Sequence, residues 1–533
     1  MMFPKLKGNI MIRINNLKMP LNTTLDVLKA KAAEQLQCSE AELKNFRISK
    51  KSIDARNKSN VHFVFSADCE VDKPIAAAKD IEILADDKIL RFRIAKQKNR
   101  PIVVGSGPAG MFAGIALAEA GLNPIILERG EDVDNRQKKV SYFWQSGKLN
   151  TESNVQFGEG GAGTFSDGKL MSGIKKDKFV HKVMYELYAN GAPEEIMYLA
   201  KPHIGTDKLR QVVKNIRRKI EKLGGEYRFN SKLEELIIKN NALQAIIVNN
   251  GGKKYELPAT QLFLAVGHSA RDTFEMLYKS GVAMQQKVFS VGVRIEHLQS
   301  MINRAQYGKA ADSPYLGAAD YKMAVHLPNG RSAYTFCMCP GGSVIAAASE
   351  NGRVVTNGMS EFARDKQNAN AALLVGVGKA DFGSDDVLAG MYFQQNLEEK
   401  AFVFGGKNYF APAQLVGDFL QSKSSIKCHD VLPSYQPGVT FTDLGKLFST
   451  AIADALRSGI VEMAKKLHGF DDYGAVLTGV ESRSSSPVRI LRDESMQSNI
   501  KGIYPCGEGA GYAGGITSSA ADALKVVYSL NEE

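Results

Sequence analysis

The sequence predicts an α/β protein in which a nucleotide-binding domain is interrupted by an inserted mixed α+β domain and preceded by a small basic β-α-β-β module. Three observations predict it. An apolar strand at Pro101–Val104 runs into a glycine-rich turn and then a helix of small and apolar residues. Helix and strand patterns alternate from there to about residue 281. A short apolar strand, Ile500–Pro505, returns near the C-terminus after a long stretch of different texture.

The chain has 533 residues, 44% hydrophobic and 23% charged, enough for two or three domains that each bury a core. No run approaches the roughly 18 apolar residues of a membrane span, and Met1–Asn15 alternates apolar with basic residues instead of forming a signal-peptide core. A cytoplasmic protein with no membrane partner is expected. Six cysteines, Cys38, Cys69, Cys337, Cys339, Cys428 and Cys506, are too few and too irregularly placed for a disulfide framework or a four-cysteine zinc site. No metal is predicted.

The net charge is +11, and residues 1–100 hold 20 Lys/Arg against 12 Asp/Glu, a balance of +8. Such a module can meet nucleic acid or an acidic partner, but its cations are scattered among apolar residues, as on a solvated basic face. In residues 1–97 the pattern reads as a strand at Met11–Ile14, a helix from Thr24 to about Gln37, and strands at Phe46–Ser49 and Val61–Phe65. Thr23 followed by Asp26 suggests an imperfect capping box at the helix start.

Residues 98–281 and 484–533 form the nucleotide-binding domain in this reading. After its first strand comes the helix Met111–Ala120, then a second strand Pro124–Leu127, a helix Thr206–Leu223, and strands Ala245–Val248 and Gln261–Ala265. Residues 282–483, rich in short strand-like pieces and glycine loops, are read as the insertion. A second glycine pair, Gly376-Val377-Gly378, lacks the third glycine of a dinucleotide turn, and Lys379–Phe382 reads as loop where a helix should begin, so no second nucleotide domain is predicted.

In Gly105-Ser106-Gly107-Pro108-Ala109-Gly110 the first glycine permits a tight turn, the second lets backbone approach a pyrophosphate, and the third lets helix and strand pack closely. A helix N-terminus then presents unpaired N–H groups to the anion. Glu128 ends the next strand, where a carboxylate accepts hydrogen bonds from ribose hydroxyls. This is a Rossmann-type turn in its proper strand–helix context. Arg129 either lies along the adenosine half or faces solvent.

With this turn, three further segments carry a family resemblance: Asn154–Leu170 (NVQFGEGGAGTFSDGKL), Phe263–Phe274 (FLAVGHSARDTF) and Gly502–Ala523 (GIYPCGEGAGYAGGITSSAADA). The chain resembles the flavoproteins related to glutathione reductase, and over nearly its whole length the bacterial FAD-dependent dehydrogenases of unassigned substrate. The resemblance implies bound FAD. It implies contacts from the loop of Phe157, Gly158, Gly160, Gly161 and Thr164, from Leu233 near the adenine, and from Ala265, Val266 and Gly267. It also implies that Gly507-Glu508 stands where the family has Gly-Asp near the ribityl chain. Gly514, Gly515 and Ile516 then open a helix aimed at flavin N1 and O2, where charge accumulates on reduction.

Catalytic groups are less legible. His268 has an ordinary pKa suited to proton transfer near neutrality, while His297, His326 and His429 show no metal-ligand spacing. Cys337 and Cys339 form a CxC pair whose two thiols could relay electrons between flavin and a disulfide substrate, but an extended strand would place them on one face, where a disulfide strains the backbone, and strand packing is the simpler expectation. Arg483 and Arg489, around a Ser-rich turn, offer binding to an anionic substrate. The function expected is hydride transfer through flavin N5 to or from a small molecule, with NADH or NADPH as transient donor. The alternatives are a flavoenzyme acting on RNA through the basic module, and a binding or assembly protein with structural FAD.

Overall fold

The computed structural model describes residues 10–72, 79–84, 90–95, 98–171 and 177–531. Part of the Met1–Asn15 stretch and the end of the first module therefore lie outside the described residues.

In the N-terminal module, alternation of apolar and polar residues produces an antiparallel sheet in the order Lys44–Asp54, His62–Val71, Ile10–Met19, Ile81–Ile83. The last strand was not foreseen. The inward set Ile12, Ile14, Phe63, Phe65 and Ala67 packs under the helix Leu25–Leu36. That helix is capped by Thr24, whose side chain accepts from the Val27 N–H, and not by Thr23, whose hydroxyl donates to the Pro20 carbonyl. The module is tied to the rest of the chain by backbone: Lys51 N donates to Tyr198 O at 2.7 Å and Ala200 N to Lys51 O at 2.9 Å.

The nucleotide-binding domain is built on a five-stranded parallel sheet in the order Ile503–Pro505, Leu262–Leu264, Ile102–Val104, Ile125–Leu127, Glu226–Arg228. The four central and C-terminal strands are wholly buried triplets, as a sheet covered on both faces requires. The helix Pro108–Glu119 has no polar face because it is enclosed, packed between the sheet and the final helix Ile516–Tyr528, with Thr206–Lys222 alongside. A three-stranded antiparallel meander, Ser231–Lys239, Ala242–Asn250 and Lys253–Pro258, branches off after the fifth strand.

Residues from Phe289 onward form a seven-stranded mixed sheet, ordered Ala324–His326, Ser332–Cys339, Asn368–Val377, Phe289–Leu298, Val476–Glu481, Ala411–Leu415, Val439–Phe441. The helices Ala389–Phe404 and Thr450–Ala464 cover it. Gly376 lies within a strand, and Gly378 caps a short helix, Lys379–Phe382, in place of the expected loop. The strand Val488–Ile490 pairs with Met284–Gln286, so entry to and exit from this unit run side by side before the chain returns to the parallel sheet. Among the described residues no helix is long and apolar enough to cross a membrane.

Candidate active site

A cavity of about 630 Å³ runs from the C-terminal ends of the parallel strands to the face of the seven-stranded sheet. Two helices begin on its wall. Pro108–Glu119 starts after Gly107 and Ile516–Tyr528 after Gly515, neither has a side-chain cap, and the first residues of both helices line the cavity. Both positive helix ends therefore converge on one space, an arrangement suited to an anion and to a group that gains negative charge.

The glycines make this approach possible. Gly105 has φ 98°, and a Cβ there would collide with the Ala265 carbonyl. Gly161, at φ 61°, touches the turn itself: a Cβ on it would lie 2.8 Å from Gly107 Cα. The two glycine loops thus form one continuous backbone wall that side chains would fill.

Glu128, 5% exposed, holds that wall together. One oxygen accepts from the backbone N–H and the hydroxyl of Ser106, and the other from Gly130 N and Gly158 N, each at 2.9 Å. All four lone-pair directions of the carboxylate have donors. It knots three loops on the cavity wall, a task the sequence did not reveal. Arg129 does not simply face solvent. It is bidentate to Glu152 and to Asp272 and stacks on Phe157 at 4.1 Å.

Of the residues singled out from the sequence, Gly105, Gly107, Pro108, Ala109, Glu128, Arg129, Phe157, Gly161, Leu233, Ala265, Val266, Gly267, Glu508, Gly514, Gly515 and Ile516 line the cavity, as do His268, Cys337 and Arg483. Gly110, Gly158, Gly160, Thr164, Gly507 and Cys339 stand behind it. Gly110 sits against the Gly105 carbonyl, and Gly507 N donates to Asp522 at 2.8 Å, with Asp522 held by Arg492.

Three expectations about chemistry change. His268 lines the cavity, and burial, with Arg483 and Arg271 nearby, pushes its pKa down to about 3, which favours the neutral imidazole near neutrality. Arg483 is not free for an anionic substrate: it is 8% exposed and bonds Glu398, Glu350 and Ser349. Arg271 shares Glu398 and Glu350 from the other side. Arg489 meets Tyr512 and the Gly511 carbonyl. The CxC pair does not lie in regular extended strand, for the register shifts between Phe336 and Cys339 and Cys337 has φ 41°. His297 is buried against the Phe470 carbonyl, whereas His326 and His429 are exposed. Among the described residues no cluster of His, Cys, Asp and Glu is arranged to hold a metal.

A protein of Clostridium beijerinckii that carries only the description "uncharacterized protein" is 48% identical over 531 residues, covering 98% of this chain and 99% of its own. The chain belongs to the same family as that protein. Within it, residues 100–204 match the FAD binding domain, residues 288–484 the C-terminal-domain-like family of FAD-dependent proteins, and residues 11–70 a domain of unknown function. Solved structures give distant likenesses that bear on nothing further: the flavin-dependent brominase Bmp2 (12% identity, 81% of this chain and 77% of that one, TM-score 0.36) and the Bacillus halodurans glycerol-3-phosphate dehydrogenase complexed with FAD (12%, 81% and 65%, 0.34). The protein is a flavoprotein and its cofactor is FAD.

Several residues that shape the site had no readable signal. Arg136, fully buried, donates to the carbonyls of Asn154, Val155, Gly158 and Glu159 and so sets the second glycine loop. Arg294 and Glu481 form a buried bidentate pair at 2.9 Å on the sheet face of the cavity. Asp167, which binds Arg364 and Lys169, has its pKa held down to about 2; burial opposes this, and the two cations prevail.

Proposed function

We propose that the protein is a FAD-dependent oxidoreductase that passes a hydride through flavin N5 to or from a small molecule bound between the glycine loops and the seven-stranded sheet. The observation that carries this reading is the convergence of two uncapped helix N-termini on one cavity that continues onto that sheet. FAD supplies the electron chemistry, and the chain supplies position and electrostatics.

In this reading the N–H groups that follow Gly105 take the pyrophosphate, and the fixed loops at Glu128 and Phe157 shape the adenosine end with Arg129 and Leu233. The helix at Ile516 offers N–H donors where the ring becomes negative. Glu508 stands at the ribityl position. Burial raises its pKa to about 7, against the pull of Lys287, so near neutrality its side chain holds or releases a proton. The substrate lies against Thr335, Cys337 and Asn357, at the junction of two domains.

Anaerobic titration of the holoprotein with NADH and NADPH, followed in the visible flavin band, tests the reading. Bleaching by one of them is expected, and it identifies the donor. A band that survives both nicotinamides and also photochemical reduction would leave a purely structural flavin and end the proposal.

A further inference from the structure

Most charges on the cavity wall are matched in place. Arg129 and Lys232 meet Glu152 and Asp272, Arg483 meets Glu398 and Glu350, and Glu481 meets Arg294. One corner of the wall is not matched. There Asp167, 1% exposed, carries two cations at once, Lys169 Nζ at 2.9 Å and Arg364 Nη2 at 2.6 Å. Lys201 is paired with Asp320 at 2.7 Å, and Lys322, exposed on the same wall, has no ion-pair partner among the described residues. Four cations thus stand against two carboxylates, a surplus of two positive charges.

The backbone puts this corner where the two halves of the cavity meet. Leu170 N donates to Pro202 O at 3.0 Å, and Lys169 bridges His203, so the segments that carry Lys169 and Lys201 run side by side. Thr517, in the first turn of the helix that opens at Ile516, donates its hydroxyl to Leu170 O at 3.0 Å. From that position Lys169 Nζ reaches across to the Met338 carbonyl of the seven-stranded sheet. An ammonium has three N–H donors. Asp167 and Met338 take two of them, and the third belongs to a half-buried side chain on the cavity wall. Like charges gathered on such a wall repel one another, and a bound anion relieves that repulsion.

We propose that the small molecule taken by this cavity is a carboxylate, held by Lys169 between the helix start at Ile516 and the sheet, and drawn in past Lys201 and Lys322. The proposal rests on the oxidoreductase reading above and gives its substrate a chemical class. A carboxylate suits the corner better than a phosphate. The fixed trio of Asp167, Lys169 and Arg364 has one net positive charge, and Lys169 has one N–H to give, whereas a phosphate dianion calls for several donors. Residues 1–100, with their balance of +8, are fastened beside this mouth by the Ala200 N–H on the Lys51 carbonyl at 2.9 Å, and their field favours the same sign of ligand.

The test titrates the oxidised holoprotein with benzoate and acetate, and with benzamide and acetamide as neutral isosteres, following the visible flavin band. A saturable shift is expected from the carboxylates alone. Lys169→Gln leaves Asp167 its Arg364 partner, so the fold is kept, and it is expected to weaken benzoate by about tenfold or more. Lys322→Gln, at an exposed position, is expected to weaken it about twofold and to flatten its salt dependence. Amides that bind as tightly as the acids overturn the proposal, as does the lack of a saturable shift with either carboxylate. Inorganic phosphate bound more tightly than benzoate, or wild-type benzoate affinity in Lys169→Gln, overturns it too. In each of these cases a flavin that still takes electrons on photochemical reduction keeps the oxidoreductase reading. A flavin that binds benzoate but takes no electrons ends that reading, and with it the assignment of the carboxylate as substrate.

Discussion

His268 Nε2 lies 4.0 Å from Glu508 Oε1 on the cavity wall, where burial favours the neutral form of both groups. Burial pushes the imidazole down to about 3 and the carboxyl up to about 7. Loss of water drives each group toward its neutral form; Arg483 and Arg271 add to this at His268, while Lys287 opposes it at Glu508.

Opposite pH dependences follow from this pair. Between about pH 6.5 and 3 the unfolded chain holds a proton on His268 that the folded chain lacks, so stability falls with pH, by about 2 kcal/mol at pH 5. For Glu508 the folded chain keeps a proton between about pH 4.5 and 7 that the unfolded chain has released. Stability is then lost as pH rises, by at most about 3 kcal/mol. Urea unfolding of His268→Asn is expected to flatten the acid side of the profile, and Glu508→Gln the neutral side. Parallel profiles for wild type and both variants would refute the assignment.

Arg136 and the Glu159 carbonyl, 2.7 Å apart, suggest a second experiment. Arg136→Met leaves four buried carbonyls without this donor, each worth about 1 kcal/mol or more. Flavin affinity is expected to fall at least tenfold and the urea midpoint to drop. Arg136→Lys should fall between, since an ammonium cannot span the same fork of acceptors. Reconstitution of the apoprotein, followed by quenching of free-flavin fluorescence, measures it.

The sequence made the first β-α-β unit legible because its signals are local. A glycine turn, an apolar triplet and a following carboxylate fall within one short segment, whereas the helix start at Ile516 was placed by the family resemblance of Gly502–Ala523. Arg136 escaped notice because its partners are main-chain carbonyls, which leave no residue-type signature. Arg271, Glu398 and Arg483 meet from distant parts of the chain, so each alone reads as surface charge. The strand Ile81–Ile83 is too short to announce itself, and the bulge that separates Cys337 from Cys339 is set by the neighbouring strand Asn368–Val377. Position in three dimensions, which the sequence does not print, decided all of these.

Glu128 allows a sharper test of the glycine wall. Glu128→Gln keeps the shape but turns an NH₂ group toward N–H donors, so two of the four bonds become donor-to-donor contacts. A loss of flavin affinity larger than that for Glu128→Ala is expected, because alanine leaves room for water to serve the orphaned N–H groups. Equal affinities for wild type and Gln would mean that the charge and acceptor capacity of the carboxylate are not used.

Arg483 was a candidate for binding an anionic substrate, and its surroundings give it a structural task. Glu398 accepts from both Arg271 and Arg483, and those two cations hold it well below the usual carboxylate range despite full burial. Removing one cation leaves a buried carboxylate half-neutralised, at a cost of about 3 kcal/mol. Arg483→Met should lower the urea midpoint accordingly, and the double variant Arg483→Met/Glu398→Gln should recover part of that loss, since the residual charge goes with its partner. Additive losses in the double variant would show the residues to be uncoupled. A stable Arg483→Met protein would return the side chain to the list of substrate-binding groups.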